Sequence, residues 1–468
     1  MSGIHFKQLT HIAQSIKARK LSPVEITDSL LARIEALNPT FHAYSHVMVE
    51  RARTQAAKAE QEIIQGDYKG PLHGVPIAIK DLLDIAGEAT ACGSTIKQGA
   101  VASRNAGVVD RLQNAGAIIV GKLNMTEFAL SGYHPDLPVP VNPWGADRWA
   151  GVSSSGSAIA AATGLAYGTL GSDTGGSIRF PSAVNGVVGI KPTFGTISKH
   201  GAFPLAYTLD HIGPITRSVE DAALMLQAIA GFDAGDPFSR RGAVPNFTSK
   251  LTAGVKGLRV GIDDAYCATN AHPEVTAAVH QAAAQLAKLG AKLVPVNIMA
   301  VLETCAYWGA VVAAEAAIAH AETFPSQAAD YGPVFRAALE AAPSITGSDY
   351  ARSRLAVARA SAAFRAAFDV ADVLLCPGAP LPAMPLDEFP ADLVLPPEEV
   401  AAFVGFAAPM NFTGHPTISV PCGMSSEGLP LGLQFVGRHN DEATLIGAAY
   451  AYEQATEWHT LIPNGLKG

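Results

Sequence analysis

The sequence predicts an α/β protein built around a mostly buried sheet. Short apolar runs alternate along the chain with segments of helical spacing, the pattern of layered helices over a sheet. A chain of 468 residues that is 49% hydrophobic and 16% charged also has apolar surface for one large core or two moderate ones. Those figures exclude a disordered chain or a small stapled scaffold.

The opening is helical, since Leu9, Ile12 and Ile16 recur at helical spacing. Ser22-Pro23-Val24-Glu25 then reads as a capping box with proline at the first helical position, which predicts a helix over about 23–37. A third helix, rich in Ala, Arg and Glu, is predicted over 49–65 and stops at Gly66. Strand-like runs follow at 75–79, 118–120, 187–190, 258–262, 292–296, 373–376, 417–420 and 431–436. Between Phe232 and Gly257 the chain turns polar and rich in Gly and Pro, a long connection between two halves of one unit. Residues 301–368 are Ala-rich and read as helices capping the sheet. The expected organisation is a single domain over 1–468, its core at about 60–230 and its cap at about 300–370. No internal repeat or heptad pattern is visible.

The balance of 33 Lys and Arg against 41 Asp and Glu, a net charge of −8, argues against a phosphate-neutralising surface and hence against nucleic acid as a partner. The five cysteines, Cys92, Cys267, Cys305, Cys376 and Cys422, lie far apart without a CxxC pair, which suits reduced thiols in a cytoplasmic protein. Residues 1–20 scatter Lys7, Lys17, Arg19 and Lys20 among polar residues, with no apolar core of a signal peptide. The longest apolar stretch is read as 158–171, shorter than the roughly 20 residues a membrane-spanning helix needs.

Three segments are poorly explained by packing: Gly74-Val75-Pro76-Ile77-Ala78-Ile79-Lys80-Asp81, Gly151-Val152-Ser153-Ser154-Ser155-Gly156-Ser157, and Gly171-Ser172-Asp173-Thr174-Gly175-Gly176-Ser177. Each has a plain reading: Lys80 as the solvated end of a strand, the serines as a loop or helix cap, the glycine pair as a tight turn. Chemistry accounts for the set together. A serine hydroxyl is a weak nucleophile until a base takes its proton, and burial lowers a lysine pKa far enough to make it that base. A second serine can relay the proton. Consecutive glycines before the nucleophile let backbone N–H groups converge on an oxyanion.

In order and spacing these segments resemble the amidase signature. The resemblance identifies Lys80 with that family's base, Ser153 with its relay serine, which in the family sits on a cis peptide bond, and Ser177 with its acylated nucleophile. It assigns the oxyanion hole to the amides of Thr174, Gly175, Gly176 and Ser177, and a bracing role to Ser154, Asp173 and Arg179. Further similar stretches are Asn38-Pro39, Asn124-Met125-Thr126-Glu127-Phe128, Asn142-Pro143-Trp144, Gly189-Ile190-Lys191-Pro192-Thr193, Leu209-Asp210-His211-Ile212-Gly213-Pro214 and Gly428-Leu429-Pro430-Leu431-Gly432-Leu433-Gln434. The likeness therefore covers nearly the whole chain, and it implies a large central mixed sheet covered by helices on both faces. Two positions depart from the usual Gly-Gly-Ser-Ser-Gly-Gly-Ser: Val152 and Ser155 replace glycines. Valine resists positive φ, which would stiffen or re-aim the loop, and Ser155 adds a hydroxyl that could join the proton network.

Other chemistries fit less well. No GxxxxGK[ST] run is present, and neither Ser153 nor Ser177 sits in a G-x-S-x-G elbow. His211 beside Asp210 reads as structural, and His42 and His46, at helical i, i+4 spacing, lack the further ligand a zinc site needs. No metal or organic cofactor is expected. The resemblance implies a carbon–nitrogen hydrolase of the non-peptide amidase type, releasing ammonia or an amine from a small amide through a Ser177 acyl-enzyme. Its pocket wall is expected around Ala129 and Tyr133, the 134–149 loop, Tyr307, Trp308 and 403–410, whose apolar and aromatic character suits an aryl or alkyl amide. Carbamate or ester hydrolysis on the same three residues, a glutamine-dependent amidotransferase subunit, and an inactive binding or assembly protein on the same fold remain alternatives. Beyond a small-molecule substrate no partner is specified; no membrane is expected, and a homodimer is compatible with the sequence.

Overall fold

The computed structural model describes residues 3–390 and 392–466. The strands are β1 Tyr44–Val47, β2 Pro76–Lys80, β3 Ile118–Leu123, β4 Thr169–Asp173, β5 Val188–Lys191, β6 His211–Thr216, β7 Arg259–Ile262, β8 Lys292–Pro295, β9 Val373–Pro377, β10 Thr417–Met424 and β11 Pro430–Gly437. They form one mixed sheet in the order β1-β3-β2-β4-β6-β5-β10-β11-β9-β7-β8, with helices on both sides. Every residue of β2, β3, β4, β5, β6, β9 and β11 is buried, which is why the sequence shows continuous apolar runs there instead of alternation. The sheet's free edge at β8 is short and carries Lys292 and Pro295, features that discourage pairing with another chain.

Each of the eight runs read as strands is a strand. Three strands were not anticipated: β1, β4 and β6. The predicted helices are present at Leu9–Lys17, Pro23–Phe41 and Val49–Gln65. The second runs four residues beyond its predicted end and carries Pro39 inside its last turn. Ser22 Oγ accepts the N–H groups of Val24 and Glu25 as a cap should and donates to Glu60, but the reciprocal bond from Ser22 N–H to the Glu25 carboxylate is absent among the described residues. Residues 301–368, read as helical, hold helices at Trp308–Ala319, Pro333–Ala341 and Gly347–Val370.

Two sequence readings are corrected. His42 terminates the Pro23–Phe41 helix in a left-handed conformation and His46 lies in β1, so the two share no helical face; His46 faces Glu88 at 3.4 Å. Among the described residues one helical run, Met299–Ala319, is 21 residues long and sufficient by length and composition to cross a membrane, longer than the 158–171 stretch. It is divided, however, into a 3-10 segment ending at Tyr307 and a regular helix from Trp308, and that helix puts a carboxylate, Glu315, on its buried side. All five cysteines are free and buried.

Candidate active site

The three segments singled out by residue type meet where neighbouring strands end. β2 and β4 run parallel, with Ile79 opposite Leu170, so Lys80 and Asp173 both sit at carboxyl ends, where open α/β sheets place their ligands. Ser153 and Ser154 arrive at the N-terminus of the Ser155–Ala162 helix, and the Thr174–Ile178 turn leads from β4 into the Arg179–Asn185 helix.

Lys80 is 0% exposed, and Nζ reaches Ser153 Oγ at 2.6 Å, Ser172 Oγ at 2.9 Å and Ser154 Oγ at 3.0 Å. It forms no ion pair among the described residues. Burial pushes its amine well below the usual lysine range, an effect that Asp173 and Asp210, acting from further away, only partly oppose. The positive end of the Ser155–Ala162 helix acts in the same direction as burial. A neutral amine has two N–H groups and one lone pair, so only one of the three hydroxyls can donate to it. Ser154 Oγ already donates to Ser172 O at 3.1 Å and accepts Ser172 N–H at 3.2 Å, so it can only accept from Nζ. Of the remaining two, Ser153 makes the shortest contact and is the better donor to the lone pair.

Ser177 is buried, with 6% exposure, and its Oγ makes no hydrogen bond among the described residues. The Lys80–Ser153 contact is thus formed while a Ser153–Ser177 contact is not. The peptide bond before Ser153 is trans; the cis bond among the described residues is Phe324–Pro325. The cis serine implied by resemblance is therefore not seen, and the trans chain already delivers Ser153 Oγ to Lys80.

The turn before Ser177 is held from behind by Asp173. Its carboxylate accepts Gly176 N–H at 2.9 Å, Ile178 N–H at 3.1 Å and Asn411 Nδ2 at 2.9 Å, and pairs with Arg179 through Nε at 3.0 Å and a terminal nitrogen at 2.8 Å. The expectation of four amides facing an oxyanion is corrected at Gly176, whose N–H is engaged by Asp173; those of Thr174, Gly175 and Ser177 have no acceptor among the described residues. Gly176 has φ +116°, and a Cβ there would also lie 2.7 Å from Phe180. Gly175 lies under the Trp308 indole, whose Nε1 donates to Thr174 O at 3.0 Å.

The loop departures behave differently from expectation. Gly151, not Val152, takes the left-handed φ of +97°, so the valine is unstrained, and Ser155 Oγ accepts from Tyr133 Oη at 2.7 Å instead of joining Lys80. The expected pocket residues separate. Ala129 lines a cavity of about 240 Å³ together with Ser172, Thr174, Phe203, Leu205 and Ile212, whereas Tyr133 lines a much smaller cleft with Trp149 and Phe389. The larger cavity adjoins the Thr174–Ile178 turn at Thr174 and does not include Ser177 among its lining. Phe128 and Ala129 both have positive φ, 44° and 66°, a backbone strain of the kind that clusters at functional sites. Phe403 stacks with Phe389 and packs against Trp149 and Phe180, forming an aromatic cluster and not an open wall.

Sequence reasoning missed Ser172 as a third partner of Lys80, Asn411 behind Asp173, and Asp210, whose Oδ1 accepts from Thr174 Oγ1 at 2.5 Å. Ser172 and Asp210 lie inside recognised motifs, but only recognition of β4 and β6 as paired strands would have put them beside the site. Asn411 comes from a distant helix and left no local signal.

A family model described as Amidase matches residues 25–446. The chain is 43% identical over 459 residues, 97% of its length and 95% of the relative's, to a Mycobacterium bovis protein bearing the amidase name AmiD. It is 37% identical, over 95% of the chain and 96% of the relative, to a Geobacter metallireducens protein named as one subunit of glutamyl-tRNA(Gln) amidotransferase. The structure of a bacterial aryl acylamidase of the amidase-signature family superposes with a TM-score of 0.90 at 26% identity, covering 99% of each chain. By the family model's match and by these relatives, the chain belongs to the amidase family, hydrolases of carbon–nitrogen bonds other than peptide bonds.

Proposed function

We propose that the chain hydrolyses a small amide through an acyl-enzyme on Ser177, with Ser153 as proton relay and Lys80 as base. The observation that carries the reading is Lys80: a fully buried amine with no ion-pair partner among the described residues, surrounded by three serine hydroxyls, one of them at 2.6 Å. Lysine placed so is held neutral and can accept a proton.

In the first step Ser177 Oγ forms a bond to the substrate carbonyl carbon, and the carbonyl electron pair moves onto oxygen. The Ser177 proton passes to Ser153 Oγ as the Ser153 proton passes to Lys80 Nζ. The oxyanion meets the amides of Thr174, Gly175 and Ser177, while Gly176, bonded to Asp173, keeps the turn in shape. The carbon–nitrogen bond then breaks, the proton returns through Ser153 to the leaving nitrogen, and ammonia or an amine departs. Water repeats the sequence on the acyl-enzyme and releases the acid.

The cavity beside Thr174 supports a neutral substrate with an aryl or short alkyl group. Its walls are apolar at Leu82, Ala129, Phe203, Pro204, Leu205 and Ile212, with Lys199, Asp210 and Asp236 as ionisable groups in the same lining, and about 240 Å³ exceeds the roughly 150 Å³ that accommodates benzene. Carbamates and esters follow the same route. Because the Geobacter relative is named for an amidotransferase, glutamine is a second candidate, whose polar groups would meet Lys199, Asp210 and Asp236 in the same lining.

The test is intact-mass spectrometry of wild type and Ser177→Ala after a serine-reactive fluorophosphonate, followed by ammonia and amine release from aryl, alkyl, carbamate and glutamine substrates. Labelling of wild type alone is expected, with a loss of turnover in the variant by several orders of magnitude. A Ser177→Ala protein that is labelled and active would end the proposal.

A further inference from the structure

We infer that Glu315 is a positioning residue for the oxyanion turn, and that the Trp308–Ala319 helix of the cap sets the geometry of Thr174. The inference rests on the amide-hydrolase reading above and names a device within that site.

Glu315 is 6% exposed and has no cationic partner among the described residues. A carboxylate buried this way needs hydrogen bonds to offset its desolvation, and two of the three it has come from Thr208 on one short loop, the third from Tyr350 on the Gly347–Val370 helix. Oε2 accepts Thr208 N–H at 2.9 Å, and Oε1 accepts Thr208 Oγ1 at 2.6 Å and Tyr350 Oη at 2.7 Å. Two residues beyond Thr208 lies Asp210. Its carboxylate gathers the loop by accepting Leu205 N–H at 3.0 Å and Ala206 N–H at 3.1 Å, and it accepts Thr174 Oγ1 at 2.5 Å. Glu315 thus acts on Thr174 through a covalently continuous loop and one short hydrogen bond.

The same helix reaches Thr174 a second time. Trp308 is seven residues before Glu315, two turns along one helix face, and its indole donates to Thr174 O at 3.0 Å. One rigid helix therefore fixes the carbonyl of Thr174 directly and its hydroxyl by way of the loop, bracketing the amide left free to face an oxyanion. Lys199 steadies the loop from the other side, donating to Tyr207 O at 2.6 Å. A shift of the loop would carry Asp210 and Thr174 with it, and a misplacement of about 1 Å at a reacting centre costs about 100-fold in rate.

The experiment compares wild type, Glu315→Ala, Glu315→Gln and Thr208→Val by thermal melting, by kcat and KM on an amide identified in the screen, and by the rate of fluorophosphonate labelling at Ser177. Glu315→Ala is expected to lower kcat and the labelling rate together, by about 10-fold to 100-fold, with KM within about twofold. Glu315→Gln, which retains an acceptor for Thr208 N–H, should recover most of the loss, and Thr208→Val should fall between the two. A folded Glu315→Ala enzyme labelled at the wild-type rate, or one altered in KM alone, overturns the inference. If Glu315→Ala does not fold, Glu315→Gln and Thr208→Val decide it by the same split. Failure of wild type to label at Ser177 would instead remove the amide-hydrolase reading on which the inference rests.

Discussion

Replacing Asp173 by Ala should cost this protein a large part of its stability, and the structure gives the size of the effect. Asp173 and Arg179 are both 0% exposed, and the carboxylate accepts five hydrogen bonds, two of them from the guanidinium. Without the carboxylate, Arg179 remains buried against neutral acceptors only: Ala407 O at 3.1 Å, Asn411 Oδ1 at 2.6 Å and Gln434 Oε1 at 3.4 Å. Stranding one member of such a pair costs about 3–5 kcal/mol, against a total that is typically about 5–15 kcal/mol. Burial alone would raise the Asp173 carboxyl, but the Arg179 charge and the bonds it receives outweigh this and hold it well below the usual carboxylate range. Its contribution is therefore complete above about pH 4, where the unfolded carboxyl ionises, and is lost only as pH falls through the lower folded value.

The assay is urea unfolding at pH 7 followed by fluorescence and circular dichroism together, because coincident transitions license a single unfolding free energy. Asp173→Ala/Arg179→Met should be destabilised by less than the sum of the two single variants, by about 2 kcal/mol or more, since the double variant strands no charge. Additive single variants, or an Asp173→Ala protein within about 1 kcal/mol of wild type, would refute the claim that this pair braces the turn.

Two further expectations concern pH. With Lys80 held well below its usual range by burial, log kcat/KM should rise with pH through the depressed value and level once the amine is neutral; Lys80→Met should lose both the rate and that acid limb, measured as a pH profile on the screened amide. Glu453, raised by burial to about 8, accepts Val219 N–H at 2.8 Å and lies near Asp221, itself raised by burial to about 6. Between pH 4.5 and about 8 the folded protein holds a proton at Glu453 that the unfolded chain has released, so stability should fall as pH rises across that window, by at most about 1.4 kcal/mol per unit for this group, and Glu453→Gln should flatten the slope in melting curves taken from pH 5 to 9.

What the sequence conveyed about the fold was governed by burial. Runs such as 118–120 and 431–436 are apolar on both faces because helices cover both sides of the sheet, and they announced themselves without any knowledge of their neighbours. β1 did not: at the sheet's edge, Tyr44-Ser45-His46-Val47 is polar and half exposed. Asn411 was invisible for another reason, since a residue that reaches Asp173 across 238 positions is specified by tertiary packing and not by any local pattern.

β4 and β6 were missed for a more informative reason, because these are the strands that carry the site. Thr169-Leu170-Gly171-Ser172-Asp173 and His211-Ile212-Gly213-Pro214-Ile215-Thr216 break strand propensity with Gly, Pro, Asp and Ser, and each break has a local cause. A Cβ at Gly171 would lie 2.8 Å from Ser154 Oγ, and one at Gly213 would lie 1.9 Å from Ile190 O, so both glycines are the room that close approach requires. Ser172 is a partner of Lys80, and Asp173 braces the turn. The chemistry replaced the residues by which a strand is recognised. Motif reading could find Ser177, four residues beyond β4, because it looks for functional groups, while pattern reading found no strand leading to it for the same reason. The supporting residues Ser172, Asp210 and Glu315 fell between the two methods, and Trp308 was expected only as pocket wall: each gains its role from the pairing of β4 with β2 and β6 and from the helix that reaches Thr174.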